Sequence, residues 1–142
     1  RYMAQDLARL DEAAGLSEGD FDLIVSGLAI HHLENGQKQS LFHQVARLLV
    51  PNGRFINADQ VLGETAAAER IYTEAWRQHV MHSSALTEAE KNAAFERIKL
   101  DRMATLSDQF QWLREAGLQA DLYFQHYNFV VFAAAKQPEC GR

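Results

Sequence analysis

The chain of 142 residues is poor in cysteine and proline, with one Cys (Cys140) and two Pro, and it lacks a basic excess. Lys and Arg number 14 against 19 Asp and Glu, a formal net charge of −5. A lone cysteine in a polar tail excludes a disulfide framework and a thiolate metal site, and it fits a reducing, cytoplasmic setting. The acidic balance argues against a nucleic-acid partner, which needs clustered Lys and Arg. It leaves room for a small cationic or neutral substrate. No apolar run approaches the ~20 residues that span a bilayer, and no secretory signal is visible, so no membrane partner is expected. Internal repeats and low-complexity linkers are also missing. What is present is enough apolar sequence, 47%, for a real core in one domain or less. The chain begins at Arg1 without an initiator methionine, which points to a piece of something longer.

The organising stretch is Phe21-Asp-Leu-Ile-Val-Ser-Gly-Leu-Ala-Ile-His-His-Leu33. Its apolar run predicts a strand buried on both faces. Small residues, Ser26 and Gly27, end that strand and let a ligand approach the backbone. Asn35-Gly36 reads as a turn. Leu41, Phe42, Val45, Leu48 and Leu49 then repeat as one buried helical face between about Gln37 and Leu49. Pro51 prevents the helix from continuing, Asn52-Gly53 turns the chain, and Arg54 to Val61 reads as a second strand. Strand, helix and strand imply a parallel pair joined by a crossover. Ligands of open α/β sheets lie beyond the carboxyl ends of such strands, which places the working site at Ser26 to His32 and near Asn57 to Gln60.

Downstream, residues 64–103 are rich in alanine and charge and predict two helices. The second opens with Thr87-Glu-Ala-Glu90, a capping-box pattern. Thr105 to Asp108 caps a third helix, which Gly117 ends in a left-handed conformation. Leu122 to Tyr127 and Phe129 to Ala135 predict an antiparallel hairpin, and Gln137 to Arg142 a frayed tail.

Two residues are candidates for chemistry. His31 titrates near neutrality and is suited to taking a proton from a nucleophile. Asp59 either orients an acceptor hydroxyl or amine, or caps the helix that follows. His32 is a weaker candidate for substrate contact. Tyr72 and Trp76, with Tyr127, form either an aromatic wall for substrate or ordinary core packing. A metal site would draw on His31, His32, His43, His79 and His82; His79 and His82 are three apart on a helix and could share a ligand, but no carboxylate or thiolate is obviously placed with them, so no metal is expected.

These stretches, with Leu48-Leu-Val-Pro-Asn-Gly-Arg-Phe55, Leu113-Arg-Glu-Ala-Gly-Leu118 and Phe129-Val-Val-Phe-Ala133, resemble the carboxyl-terminal part of a class I S-adenosylmethionine-dependent methyltransferase. The resemblance implies an α/β, partial Rossmann-like fold. It has parallel strands four and five, a carboxyl-terminal antiparallel hairpin, and a helical cover (64–103) inserted after strand five. It implies S-adenosylmethionine as cofactor, with Ser26, Gly27 and Leu28 along its methionine end. Arg1 to Asp6 would be the third strand, with Asp6 and the Leu7 backbone by the adenine. The helical cover would set substrate identity, and the acceptor would be a small molecule. The glycine-rich first motif and the ribose-binding acid are missing, which makes 1–142 a single, amino-terminally truncated domain with impaired cofactor binding. Strands one and two would lie between strands three and four, so strand four would present a bare edge. That edge predicts a homo-oligomer or a rearranged amino-terminal segment. The competing expectations are a non-catalytic interaction module derived from a methyltransferase, and another nucleotide-binding enzyme such as a dehydrogenase, because architecture alone does not fix chemistry.

Overall fold

The computed structural model describes residues 2–13 and 15–136; the frayed tail expected at 137–142 lies outside the described residues. Strand β1 is Phe21–Gly27, helix α1 is Asn35–Leu48 and strand β2 is Leu49–Gln60. Helices α2 (Ala66–His82) and α3 (Glu88–Ile98) follow, then α4 (Leu106–Glu115) and the strands β3 (Leu118–His126) and β4 (Phe129–Lys136). The sheet order is β1-β2-β4-β3. β1 and β2 are parallel, and both β2–β4 and β3–β4 are antiparallel. The parallel pair, the hairpin and the two helices after β2 are therefore as the sequence implies.

Local chemistry explains the element ends. Thr87 Oγ1 accepts from Glu90 N, and Glu90 Oε2 accepts from Thr87 N at 2.8 Å, so the capping box is real on both sides. Thr105 Oγ1 accepts from Asp108 N at the start of α4. Gly117 has φ +84, the left-handed geometry that glycine adopts without a Cβ clash. Asn35-Gly36 is not a turn: both residues are already helical. The cause is upstream, where Glu34 N donates to Gln37 Oε1 and fixes the first turn of α1. β2 begins at Leu49, ahead of the expected Arg54. Phe21 pairs with Leu49 but Leu23 with Arg54, so Pro51-Asn52-Gly53 bulges out, with Asn52 at φ +64.

One face of the sheet forms the core. Phe55, Val130, Phe132 and Ala134 meet Leu41, Phe42 and Val45 of α1 and Leu113 of α4. Phe132 packs edge-on to Phe55 and Phe110, with ring centroids 6.0 and 5.5 Å away. Paired residues in neighbouring strands share a face. Ile24 beside Phe55 therefore points into the core, while Leu23 beside Arg54 and Val25 beside Ile56 point away from it.

Two expectations are corrected here. β1 is not buried on both faces: Leu23 is 51% and Val25 65% exposed. It pairs only with β2, and the helices that form the core pack on the Ile24 side alone. The third strand expected at Arg1 to Asp6 does not form over its described part. Residues 2–6 carry no regular structure, and Leu7–Glu12 is a short 3₁₀ segment whose start Asp6 caps by accepting from Ala8 N. A strand needs a neighbour for its backbone groups, and among the described residues β1's outer edge has none to offer it. No helix among the described residues is long and apolar enough to cross a membrane.

Candidate functional site

The carboxyl ends of β1 and β2 lie side by side. Ser26 pairs with Asn57, Gly27 with Ala58, and Leu28 N donates to Ala58 O at 2.9 Å. Ser26 and Asp59 are thus at the same end of the sheet. Leu28 leaves the strand at φ +50, a left-handed conformation costly for a branched side chain and typical of sites where the backbone is held for a purpose. At Gly27 an added Cβ would meet nothing within 4 Å. Packing inside this chain therefore gives no reason for a glycine there.

After Leu28 a 3₁₀ turn, Ile30–His32, folds His31 under the strand ends. His31 and Asp59 are 4% and 2% exposed. His31 N donates to Asp59 Oδ2 at 3.1 Å, and the ring Nδ1 lies 2.5 Å from Asp59 Oδ1. Gln60 N donates to the same carboxylate at 2.9 Å. Asp59 therefore does not cap the following helix; Thr65 does, accepting from Ala68 N. The hydrogen bond to Asp59 raises the pKa of His31 above the usual histidine value. Burial opposes the rise, the charges of Asp59 and Asp101 add to it, and Lys38 subtracts from it.

The sequence reading missed Asp101 and Lys38. Asp101 stands in the loop after α3 with its side chain 8% exposed. Its Oδ1 is 3.6 Å from His31 Nε2 and 3.2 Å from His32 Nδ1. His31 is therefore flanked by a carboxylate at each ring nitrogen. His32 stacks obliquely on it, centroids 3.9 Å apart, with its side chain 57% exposed. One ligand atom each from His31, His32 and Asp101 lies within 4.8 Å of the others, with the Asp101 oxygen at ion-pair distance from both rings. Nothing local to Asp101 signals its role, because its partners are 69 and 70 positions away. Lys38 left a trace: it shares the buried face of α1, three residues before Leu41.

These groups open onto a cavity of about 390 Å³ lined by Leu28, His31, His32, Trp76, Arg97 and Asp101, among others. Trp76 also packs edge-on to Phe95 of α3, centroids 5.3 Å apart. Tyr72 is elsewhere. It meets Tyr127 at 6.3 Å, and its hydroxyl accepts from Gln125 Nε2. Asp6 caps, and Leu7 opens, the 3₁₀ segment that packs on α1. His79 and His82 are exposed on α2, and His82 Nδ1 bonds Gln78 O.

Residues 2–57 match the family described as a methyltransferase domain. Among solved structures, an O-methyltransferase family protein from Burkholderia thailandensis superposes with a TM-score of 0.66 at 10% identity. The match covers 98% of this chain and 36% of that one. Human N-acetylserotonin methyltransferase, solved in complex with SAM, gives a TM-score of 0.52 at 16% identity, covering 82% of this chain and 29% of that one. The chain thus spans about a third of the length of these structures. At such identities the likeness is one of fold. A search of curated protein sequences finds no match.

Proposed function

We propose that this chain is part of a class I methyltransferase and serves methyl transfer from S-adenosylmethionine to a small-molecule acceptor; the match of residues 2–57 to a methyltransferase domain and the shared fold support this reading. It does so as part of a longer methyltransferase domain, with α2 and α3 as the helical cover that selects the acceptor. The observation that carries the reading is the buried His31–Asp59 pair at the carboxyl ends of β1 and β2, of which His31 lines the cavity together with Trp76.

The residues at the strand ends fit the cofactor. Gly27 has open space above its backbone, and Leu28 is held left-handed beside the cavity. Ser26, Gly27 and Leu28 would line the methionine end, with Asp6 and Leu7 toward the adenine. Asp6 fits less well, since one of its carboxylate oxygens is engaged by Ala8 N. Bound there, the cofactor supplies a methyl group on an already activated sulfonium, so much of the rate comes from alignment.

In this chain Asp59 holds His31 Nδ1, which leaves Nε2 directed toward the cavity side and Asp101. Nε2 would take the proton that the acceptor hydroxyl or amine gives up on being methylated. Asp59 stabilises the resulting imidazolium. His32 and Trp76 line the acceptor cavity, and Tyr72 braces α2 against the hairpin turn. No metal enters this scheme. Calorimetric titration of S-adenosylhomocysteine into the full-length protein and into this chain tests it. Binding by the full-length protein, weaker or lost in this chain, is expected. Absence of heat with both removes the enzyme reading.

A second reading is favoured by one observation. The edge strand β1 has no outer partner among the described residues and exposes Leu23 and Val25. Such an edge recruits another strand. It suits a homo-oligomer of this chain, or an interaction module that has given up catalysis.

A further inference from the structure

Lys38 is fully buried in α1. Its Nζ donates to two backbone oxygens, Leu33 O and Arg102 O. Leu33 closes the histidine turn, and Arg102 follows Asp101 in the loop after α3. Arg102 N in turn donates to His31 O at 2.7 Å. Arg102, at the exit of the helical cover, is thus tied to the histidine turn through both its N–H and its carbonyl, and Asp101 immediately precedes it. Among the described residues no carboxylate comes within 4.0 Å of the Lys38 ammonium, so the two carbonyls are its direct partners. Burying an ammonium is unfavourable, and an apolar side chain of like length fills the same space without that cost. Packing therefore does not account for a lysine here.

We propose that Lys38 is a positioning residue: its ammonium clamps the loop after α3 to the histidine turn and so holds the Asp101 carboxylate against His31 and His32. The inference rests on His31 being the acceptor-facing group, but its test does not need methyl transfer. Groups facing His31 come from every side: Asp59 from β2, Asp101 from the loop after α3, Lys38 from α1, and His32 beside it. Arg97 of α3 also lines the cavity, whereas the guanidinium of Arg102 turns to Glu34 at 3.4 Å.

The opposed signs of these groups make the test sharp. Removing a nearby positive charge by itself raises the titration midpoint of His31. Losing the Asp101 contact lowers it. The imidazoles of His31 and His32 are to be titrated by NMR in this chain, comparing wild type, Lys38→Met and Asp101→Asn. The proposal expects Lys38→Met to lower the His31 midpoint despite the lost cation, in the direction of Asp101→Asn. It also expects the double variant to add little to either single one. A raised or unchanged midpoint in Lys38→Met reduces Lys38 to a local charge or a loop staple, and overturns the proposal. No shift in Asp101→Asn overturns it as well. If Lys38→Met loses its dispersed spectrum, Lys38→Leu, which also lacks the donor and is less bulky, decides. A downward shift supports positioning, and a wild-type or raised midpoint overturns it. Absence of methyl transfer by the wild-type full-length protein, with these titrations as expected, would instead count against the proposed function.

Discussion

The Nδ1 of His31 lies 2.5 Å from Oδ1 of Asp59, across 28 residues of sequence and with both side chains buried. The carboxylate also accepts the backbone N–H of His31. Its position therefore sets the ring's rotation and tautomer together, and the proton-accepting nitrogen is the other one. Replacing Asp59 by Asn keeps the shape and removes the charge. The full-length protein is expected to lose roughly 10²- to 10⁴-fold in kcat, the range that general acid–base catalysis contributes. The pH profile should move as well. A base whose pKa is raised is free only at higher pH, so wild-type activity rises through a midpoint above the ordinary histidine value. In Asp59→Asn that midpoint should fall. An unchanged profile would show that His31 does not carry the proton.

The same pair makes a statement about stability. His31 binds its proton more tightly folded than unfolded. Its contribution is therefore fully present below the unfolded value of about 6.5 and is lost as pH rises through the higher folded value. Urea unfolding of wild type and Asp59→Asn should show their stability difference shrinking from about pH 6 to about pH 9, with wild type losing more over that interval. A difference that grows with pH would reverse the sign and contradict the charged pair.

The edge of the sheet gives a third prediction. Val25 is 65% exposed on β1, with Leu23 two residues before it on the same side. If this edge recruits a second copy, light scattering of this chain should show self-association that Val25→Lys weakens, because an edge lysine disfavours strand pairing. The substitution sits on the accessible face and should leave the melting temperature of the monomer nearly unchanged. A chain that is monomeric before and after the change would leave the edge without a homotypic role.

Much of this was legible in the residues, and the reasons differ by element. The helix–strand alternation, the Thr87 capping box and the Gly117 stop are local devices, written in neighbouring side chains. The strand ends at Ser26 and Asp59 could be placed at one site because parallel strands joined by a crossover put their carboxyl ends together. The exposure of Leu23 and Val25 was not legible. An apolar strand reads the same whether or not a neighbour covers it. Asp101 was invisible for a similar reason, since its meaning comes from a contact some 70 residues away. Lys38 was the one missed residue with a signal, a charge on an apolar helical face.

Two glycines near the site make a contrasting pair. At Gly63 an added Cβ would lie 2.3 Å from Glu69 N and 2.8 Å from Ala68 C, both backbone atoms at the start of α2. Gly63 N also donates to Glu69 Oε2. Neither atom can move without unwinding the first turn, so Gly63→Ala should cost stability on the order of 1–3 kcal/mol, the range of overpacking, read by denaturant unfolding. At Gly27 the same added methyl meets nothing within 4 Å, and its φ is not in the left-handed region. Gly27→Ala should therefore fold with little loss of stability in this chain. In the full-length protein it should weaken S-adenosylhomocysteine binding, with a bulkier Gly27→Val weakening it further. Binding untouched by both Gly27 substitutions would place the cofactor away from this strand end. A marked stability loss in Gly27→Ala would return that glycine to a packing role.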